Sequence, residues 1–292
     1  MPKEHISSNK KIWNMSKSLV TISIPTFNSA FFLERCLDAV RRQTYKNIEI
    51  NIIDGNSKDN TIEIARKFGA KIINYPEALL GARYEGLKIA NGEYILLLDS
   101  DQILESTCVE RAIAEMDSAK DMLILEEDVY RCDNFIEKLF HYDRELIHRV
   151  KDFDPLTGAM LPRFYRTEIL KKAFANIPID VLENVGGQDH AIIYFEAWNI
   201  SHRVDLLPNA VKHIEPNSLL VIWRKFYRWG YTSVGARTNK YTKLLNEKER
   251  FRKGLFQEGT WKESFASVLL LLIKGIPYKT GYFLGKLERI VY

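Results

Sequence analysis

The strongest constraint on the fold is an alternation along the chain. Short runs rich in β-branched and apolar residues, LVTISI (19–24), IEINIID (48–54), KIINY (71–75), YILLL (94–98) and MLIL (122–125), are separated by stretches with helical spacing. Leu33, Cys36, Leu37 and Val40 fall at i, i+3, i+4 and i+7. Further helices are predicted over 61–68, 81–90 and 106–116. Asn60 followed by Glu63 reads as a capping box for the first of these. Strands alternating with helices predict an α/β fold, Rossmann-like, with a mostly parallel central sheet covered on both faces. Ligands bind such sheets beyond the carboxyl ends of the strands. Polar residues gather there: Asn28 follows the first strand, Asp54 ends the second, and Asp99 and Asp101 follow the fourth.

After about residue 126 the alternation weakens. The pattern predicts an amphipathic helix over 135–149, a loop over 152–163, and helices over 167–175 and 188–198. VDLL and VKHI (204–207 and 211–214) read as a hairpin around Pro208-Asn209. From 217 the chain is helical, basic and aromatic. Residues 216–292 carry 15 Lys and Arg against 5 Asp and Glu, a balance of +10, and the rest of the chain balances at −6. An acidic body with a basic tail implies an anionic partner. Three scattered cysteines, with no CxxC, argue against a disulfide framework and for a reducing compartment. The polar start, 1–18, reads as a flexible lead-in without the apolar core of a signal peptide.

The Asp-x-Asp pair at 99 and 101 has three open uses. It could hold a divalent cation together with ligand phosphates, act as an acid/base pair, or cap the next turn. Two carboxylates this close repel, and a cation relieves that repulsion.

SIPTFN (23–28), IIDGNSKDNT (52–61), GARYEGLKIANGEYILLLDSD (81–101) and GQDH (187–190), in this order and spacing, resemble the motifs of the family 2 glycosyltransferases. These have the GT-A fold. The resemblance covers roughly residues 19–215, which implies a GT-A catalytic domain there and a helical extension over 216–292. It puts Pro25, Thr26, Phe27, Asn28, Asp54, Arg83, Asp99 and Ser100 at the donor nucleotide. It implies Asp99, Asp101 and His213 as ligands of Mn2+ or Mg2+, and Asp189 as catalytic base. The implied reaction inverts the sugar of a nucleoside diphosphate donor, with UDP favoured over GDP, onto a glycan or lipid-linked hydroxyl. A polyprenyl phosphate acceptor is the alternative. Arg163, Arg166, Arg224, Lys225 and Arg228 are candidates for the diphosphate or an anionic acceptor. Three positions depart from the family pattern: Gly55 follows Asp54 where a second acid is common, Tyr84 replaces an Asn and Gln188 replaces a Glu.

Plainer readings stand beside these. Asp54 could cap its turn, Asp189 could cap helix 190–198, His213 could be a surface residue, and Arg163 and Arg166 could lie on a solvated loop. A nucleotidyltransferase would carry a glycine-rich loop after the first strand, where PTFNSAFF has no glycine. An inactive nucleotide- or glycan-binding homologue would lack Asp101 or Asp189. Nucleic acid is not needed to account for the basic tail.

FASVLLLLIKGI (265–276) is apolar but short for a spanning helix. Mixed with lysines and aromatics, it suits a helix lying on an anionic membrane surface. Packing onto the catalytic domain or an oligomer contact are the alternatives. The expected location is cytoplasmic, peripheral on the inner face of the cell membrane.

Overall fold

A computed structural model describes residues 18–117, 119–150, 152–237, 240–248 and 261–291. Residues 1–17 of the expected lead-in lie outside the described residues.

The expected strands form as β1 (Val20–Thr26), β2 (Ile48–Asp54), β3 (Lys71–Asn74), β4 (Tyr94–Leu97) and β6 (Met122–Val129). Between them run α1 (Ala30–Arg41), α2 (Thr61–Lys67), α3 (Leu79–Lys88) and α4 (Cys108–Asp117). Three strands complete one sheet: β5 (Gln102–Leu104), β7 (Phe164–Arg166) and β8 (Val204–His213). The order is β3-β2-β1-β4-β7-β6-β8-β5. Pairing is parallel from β3 to β4 and between β6 and β8, and antiparallel on both sides of β7 and between β8 and β5. The sheet is therefore an α/β sheet of mixed sense.

The apolar run at 94–98 is buried on both faces, as a central strand requires. Leu96 and Leu98 join one core cluster with Leu33, Leu37 and Val109; Ile95 and Leu97 join another with Leu170, Ile192 and Ile193. Each such side chain stabilises the fold by about 1.5–3 kcal/mol. The second cluster is covered by α6 (Thr167–Ala175), α7 (Ile179–Asn184) and α8 (Asp189–Trp198). Gly86 lets α3 lie directly on β1, because a Cβ there would stand 2.0 Å from Ser23 Oγ.

Three local expectations are corrected. The 204–214 hairpin does not form: β8 is one strand, parallel to β6, with a register shift opposite Leu125 and Glu127. Pro208 cannot donate to a ladder and Asn209 takes a φ of 48°, so the pair makes a bulge rather than a reversal. The Asn60 box is absent; Asp59 accepts instead from Thr61 N at 3.1 Å and Ala30 N at 3.0 Å, joining the starts of α2 and α1. Arg166, for which a solvated loop is one reading, lies instead in strand β7.

The C-terminal region folds as α9 (Leu219–Ser233), α10 (Thr242–Lys248) and α11 (Trp261–Val291). α11 packs on α9 and on α5 (Phe135–Val150), with Leu139, Phe140, Ile222, Ala266 and Leu270 in a third cluster. The extension is thus seated on the body along one face. At its crossing with α9 the backbones touch: a Cβ on Gly230 would lie 1.9 Å from Tyr278 O, and one on Gly281 2.0 Å from Tyr227 O. No helix among the described residues is long and apolar enough to cross a membrane.

Candidate active site

The carboxyl ends of β1, β2 and β4 open onto one crevice. Register pairs Thr26 with Asp54. Asp54 Oδ1 accepts from Thr26 Oγ1 at 2.8 Å and Ser57 Oγ at 2.6 Å, and Oδ2 accepts from Ser57 N at 2.7 Å. The turn-capping reading of Asp54 is realised, and of its about four lone-pair sites these three bonds leave one, on Oδ2. Asn28, with φ 47°, is laced to the same turn: its N–H donates to Ser57 Oγ and its side chain accepts from Lys58 N, both at 2.8 Å. Pro25 is half-buried and Phe27 is exposed beside Gly55. Ser100 donates to Ser29 at 3.2 Å.

Asp99 is enclosed by two guanidiniums. Arg83, buried on α3, reaches Oδ1; Arg163 Nη1 reaches Oδ2 at 2.8 Å. Burial pushes the Asp99 carboxyl up, but Arg163 and Arg83 hold it well below the usual range. Both Asp99 oxygens pair with guanidiniums, so a ligand role for Asp99 toward a cation would require one of these pairs to open. Arg163 is equally unlike the solvated loop residue considered above. It sits where its N–H donates to Leu123 O and its carbonyl accepts from Leu97 N, which locks it between β6 and β4. Arg166 is three residues further along, at the opposite end of β4 beside Tyr94. It donates to the carbonyls of Met116 and Lys120, because β7 runs antiparallel and carries it away from the crevice.

Asp189 opens α8, after Gln188 takes a left-handed φ of 65°. That turn aims Asp189 Oδ2 at Arg83 Nε, 2.7 Å away. Burial raises the Asp189 carboxyl, and neighbouring His190 and the paired Arg83 together bring it below the usual range. Next to it, burial and then the charges of Arg163 and Arg83 lower His190 to about 3. Its imidazole is neutral, with Nε2 facing Arg163 Nη1.

Asp101 and His213 are brought together by the sheet. β5 pairs Gln102 with His213, and Ile214 N donates to Asp101 O at 2.8 Å. His213 Nε2 stands 3.4 Å from Asp101 Oδ1, and its Nδ1 is 3.3 Å from Glu215 Oε1. A carboxylate oxygen and an imidazole backed by a second carboxylate are donor types found at divalent-cation sites. Among the described residues no group of three or more His, Cys, Asp and Glu could hold a metal alone. A cation here would need oxygens from the ligand. Lys225, on α9, lies 3.6 Å from Asp101 Oδ2. Arg224 and Arg228 are exposed on that helix. The extension also backs the Asp189 turn: a Cβ on Gly187 would stand 3.2 Å from Trp229 Cβ.

Sequence reasoning missed the support beneath these groups. Arg144 on α5 donates to Glu127 Oε2 at 2.5 Å and also pairs with Glu215. Glu127 faces Arg163 at 3.4 Å and accepts from Gln102 at 2.9 Å, while Gln102 accepts from Asp99 N. Burial opposed by Arg163 and Arg144 leaves Glu127 at about 2. The acids ending LILEEDV and following His213 were the available signals; Arg144 had none. Tyr84, one of the departures, stacks on Phe174 and packs, partly buried, against the second core cluster.

Residues 21–182 match the model of the family described as glycosyl transferase family 2. The chain belongs to that family. Among curated relatives of this family 2 glycosyltransferase is WfaP of Escherichia coli, a UDP-Glc:alpha-D-GlcNAc-diphosphoundecaprenol beta-1,3-glucosyltransferase. It is 28% identical over 236 residues, covering 78% of this chain and 84% of WfaP. Glycosyltransferase GlyG of Streptococcus pneumoniae is 28% identical over 42% of this chain, and the match spans 43% of GlyG's length. TarS 1-349 of S. aureus, in complex with UDP-GlcNAc, superposes with a TM-score of 0.55 at 16% identity, covering 90% of this chain and 89% of that one. The mannosyltransferase PcManGT of Pyrobaculum calidifontis, in complex with GDP-Man and Mn2+, gives 0.53 at 17% identity, covering 92% and 84%. These likenesses establish the GT-A fold.

Proposed function

We propose that this chain is an inverting glycosyltransferase that moves a sugar from a UDP-sugar to a hydroxyl of a lipid-linked acceptor. The observation that carries the reading is the convergence of Asp189, Arg83 and Asp99 in one buried ion-pair chain at the sheet's carboxyl edge, beside the Asp101–His213 pair. Arg83 Nη1 and His190 Nδ1 are buried donors without a hydrogen-bond partner among the described residues, which suits a ligand rich in hydroxyls and phosphate oxygens.

In this reading the nucleotide lies over Pro25 to Asn28, with its base edge at Asp54 and its ribose near Asp99 and Ser100. Asp189, kept ionised by Arg83, accepts the acceptor hydroxyl proton. The acceptor oxygen bonds to the anomeric carbon as the bond to the diphosphate oxygen breaks on the opposite face, which inverts the centre. The leaving electron pair stays on the diphosphate, where Lys225, with Arg224 and Arg228 on the same helix, offsets its charge. A bound Mn2+ or Mg2+, held by Asp101 and His213, would act there as a Lewis acid.

WfaP's named substrates and the UDP-GlcNAc complex of TarS support UDP and a lipid-linked acceptor. A polyprenyl phosphate acceptor would need no base, and the ionised Asp189 favours the hydroxyl. We take 19–215 as the catalytic unit and 216–292, with its +10 balance, as the part that meets an anionic membrane surface from the cytoplasmic side. A panel of UDP- and GDP-sugars, scored by nucleoside diphosphate release with a diphosphoundecaprenol-linked sugar as acceptor, tests the reading. Release from a UDP-sugar, lost in Asp101→Ala, is expected; no turnover of any donor overturns it.

A further inference from the structure

α11 carries two apolar faces, and the fold uses only one. Ala266 and Leu270 pack inward against α5 and α9. Trp261, Phe265, Leu272, Ile276, Phe283 and Leu287 point the other way and are between 42% and 76% exposed. Their spacing is 4, 7, 4, 7, 4 residues. At 100° per residue this confines all six to an arc of about 80°, one stripe along a helix about 46 Å long that carries Pro277 within it. Gly275, about 40° outside this arc, has nothing within 4 Å of its would-be Cβ. Isolated exposed apolar residues need no account, but a continuous stripe does.

We infer that this stripe is the surface by which the protein lies on an anionic bilayer, with α11 parallel to the membrane plane. The inference rests on the peripheral attachment proposed above and narrows it to one helix face. Charge selects the occupant. Lys262, Lys279 and Lys286 are exposed along this helix, where they would meet lipid phosphates as the apolar side chains enter the acyl boundary. The two carboxylates of the helix turn away: Glu263 is buried and pairs with Arg149 at 3.2 Å, and Glu288 accepts from Tyr231. A second copy fits less well. The stripe is symmetric about residue 274, so an antiparallel two-fold pairing would set Lys262 of one copy against Lys286 of the other. The stripe is too short of apolar length to span, and an in-plane helix needs no span.

The experiment is co-sedimentation of the full chain with phosphatidylcholine vesicles, with and without phosphatidylglycerol. A Phe265→Ser/Ile276→Ser/Phe283→Ser variant is compared, with melting temperature and UDP binding as fold controls. The inference predicts binding that requires phosphatidylglycerol, weakens with salt, and falls by roughly tenfold or more in the variant, whose UDP binding is unchanged. Binding by the variant equal to that of the parent overturns the stripe while leaving attachment standing. No vesicle binding by the parent overturns both. A parent dimer in sedimentation velocity that the variant dissociates assigns the stripe to self-association and overturns the inference.

Discussion

Arg83 joins the two carboxylates that the reaction needs apart: its Nε donates to Asp189 Oδ2 at 2.7 Å while its other branch pairs with Asp99. The guanidinium is 1% exposed. Replacing it with Met leaves the buried Asp189 without its ion-pair partner and Asp99 with Arg163 alone. Breaking such a pair costs about 3–5 kcal/mol. Arg83→Met is therefore expected to lower the urea midpoint sharply and to raise the apparent pKa of Asp189. Arg83→Lys rescues little, because one ammonium cannot serve both carboxylates in the same fork. Urea titration of the three proteins checks this; a Lys variant as stable as the parent contradicts it.

The two aspartates of the Asp-x-Asp pair separate by experiment. Asp101→Ala is expected to remove the Mn2+-dependent gain in UDP affinity with little change in stability. Asp99→Ala takes one carboxylate from each of Arg83 and Arg163, leaving them Asp189 and Glu127, and is expected to cost up to about 3–5 kcal/mol. Calorimetric UDP titrations with and without Mn2+, paired with thermal melts, distinguish them. The opposite assignment, with metal dependence lost only at Asp99, contradicts the geometry.

His190 makes stability depend on pH. It titrates at about 3 in the folded chain and near ~6.5 unfolded. Between these values the unfolded chain binds the extra proton. Its contribution is therefore complete above about pH 6.5 and declines as pH falls, by up to about 1.4 kcal/mol per unit. His190→Asn removes this slope, while the other titrating groups cancel in the comparison. Unfolding free energies of parent and variant at pH 7 and pH 5 measure it; a difference independent of pH contradicts a buried neutral imidazole.

The glycines of the extension give opposite signs. Gly275→Ala meets open space and is expected to stabilise by about 0.5–1 kcal/mol through helix propensity. Gly230→Ala drives a Cβ into the Tyr278 carbonyl and is expected to destabilise despite the same propensity gain. Thermal melts that move together contradict the α9–α11 contact.

What could be read from the sequence was what lies on one strand or helix. The run 94–98 announced a buried strand releasing acids at its tip, and Thr26, Asp54 and Asp99 stand where that strand order puts them. What could not be read depends on pairings without a periodic signal. β7 is three residues long, yet its antiparallel sense sends Arg163 into the crevice and Arg166 away from it. Pro208-Asn209 has the chemistry of a turn, and only the pairing with β6 makes it a bulge. Arg144 reaches Glu127 and Glu215 from an amphipathic helix whose pattern reported only its apolar side. Lys225 enters the site because α9 folds back over Gly186 and Gly187, a contact between segments about 40 residues apart.

The central claim is that Asp189 takes a proton from an acceptor hydroxyl while a nucleotide-sugar donor is bound in the crevice. The most direct measurement is single-turnover transfer from the accepted UDP-sugar by the parent and Asp189→Asn, with donor affinity measured in parallel. The account predicts unchanged donor affinity and a loss of transfer of about 10²–10⁴-fold. Transfer by Asp189→Asn at the parent's rate contradicts it.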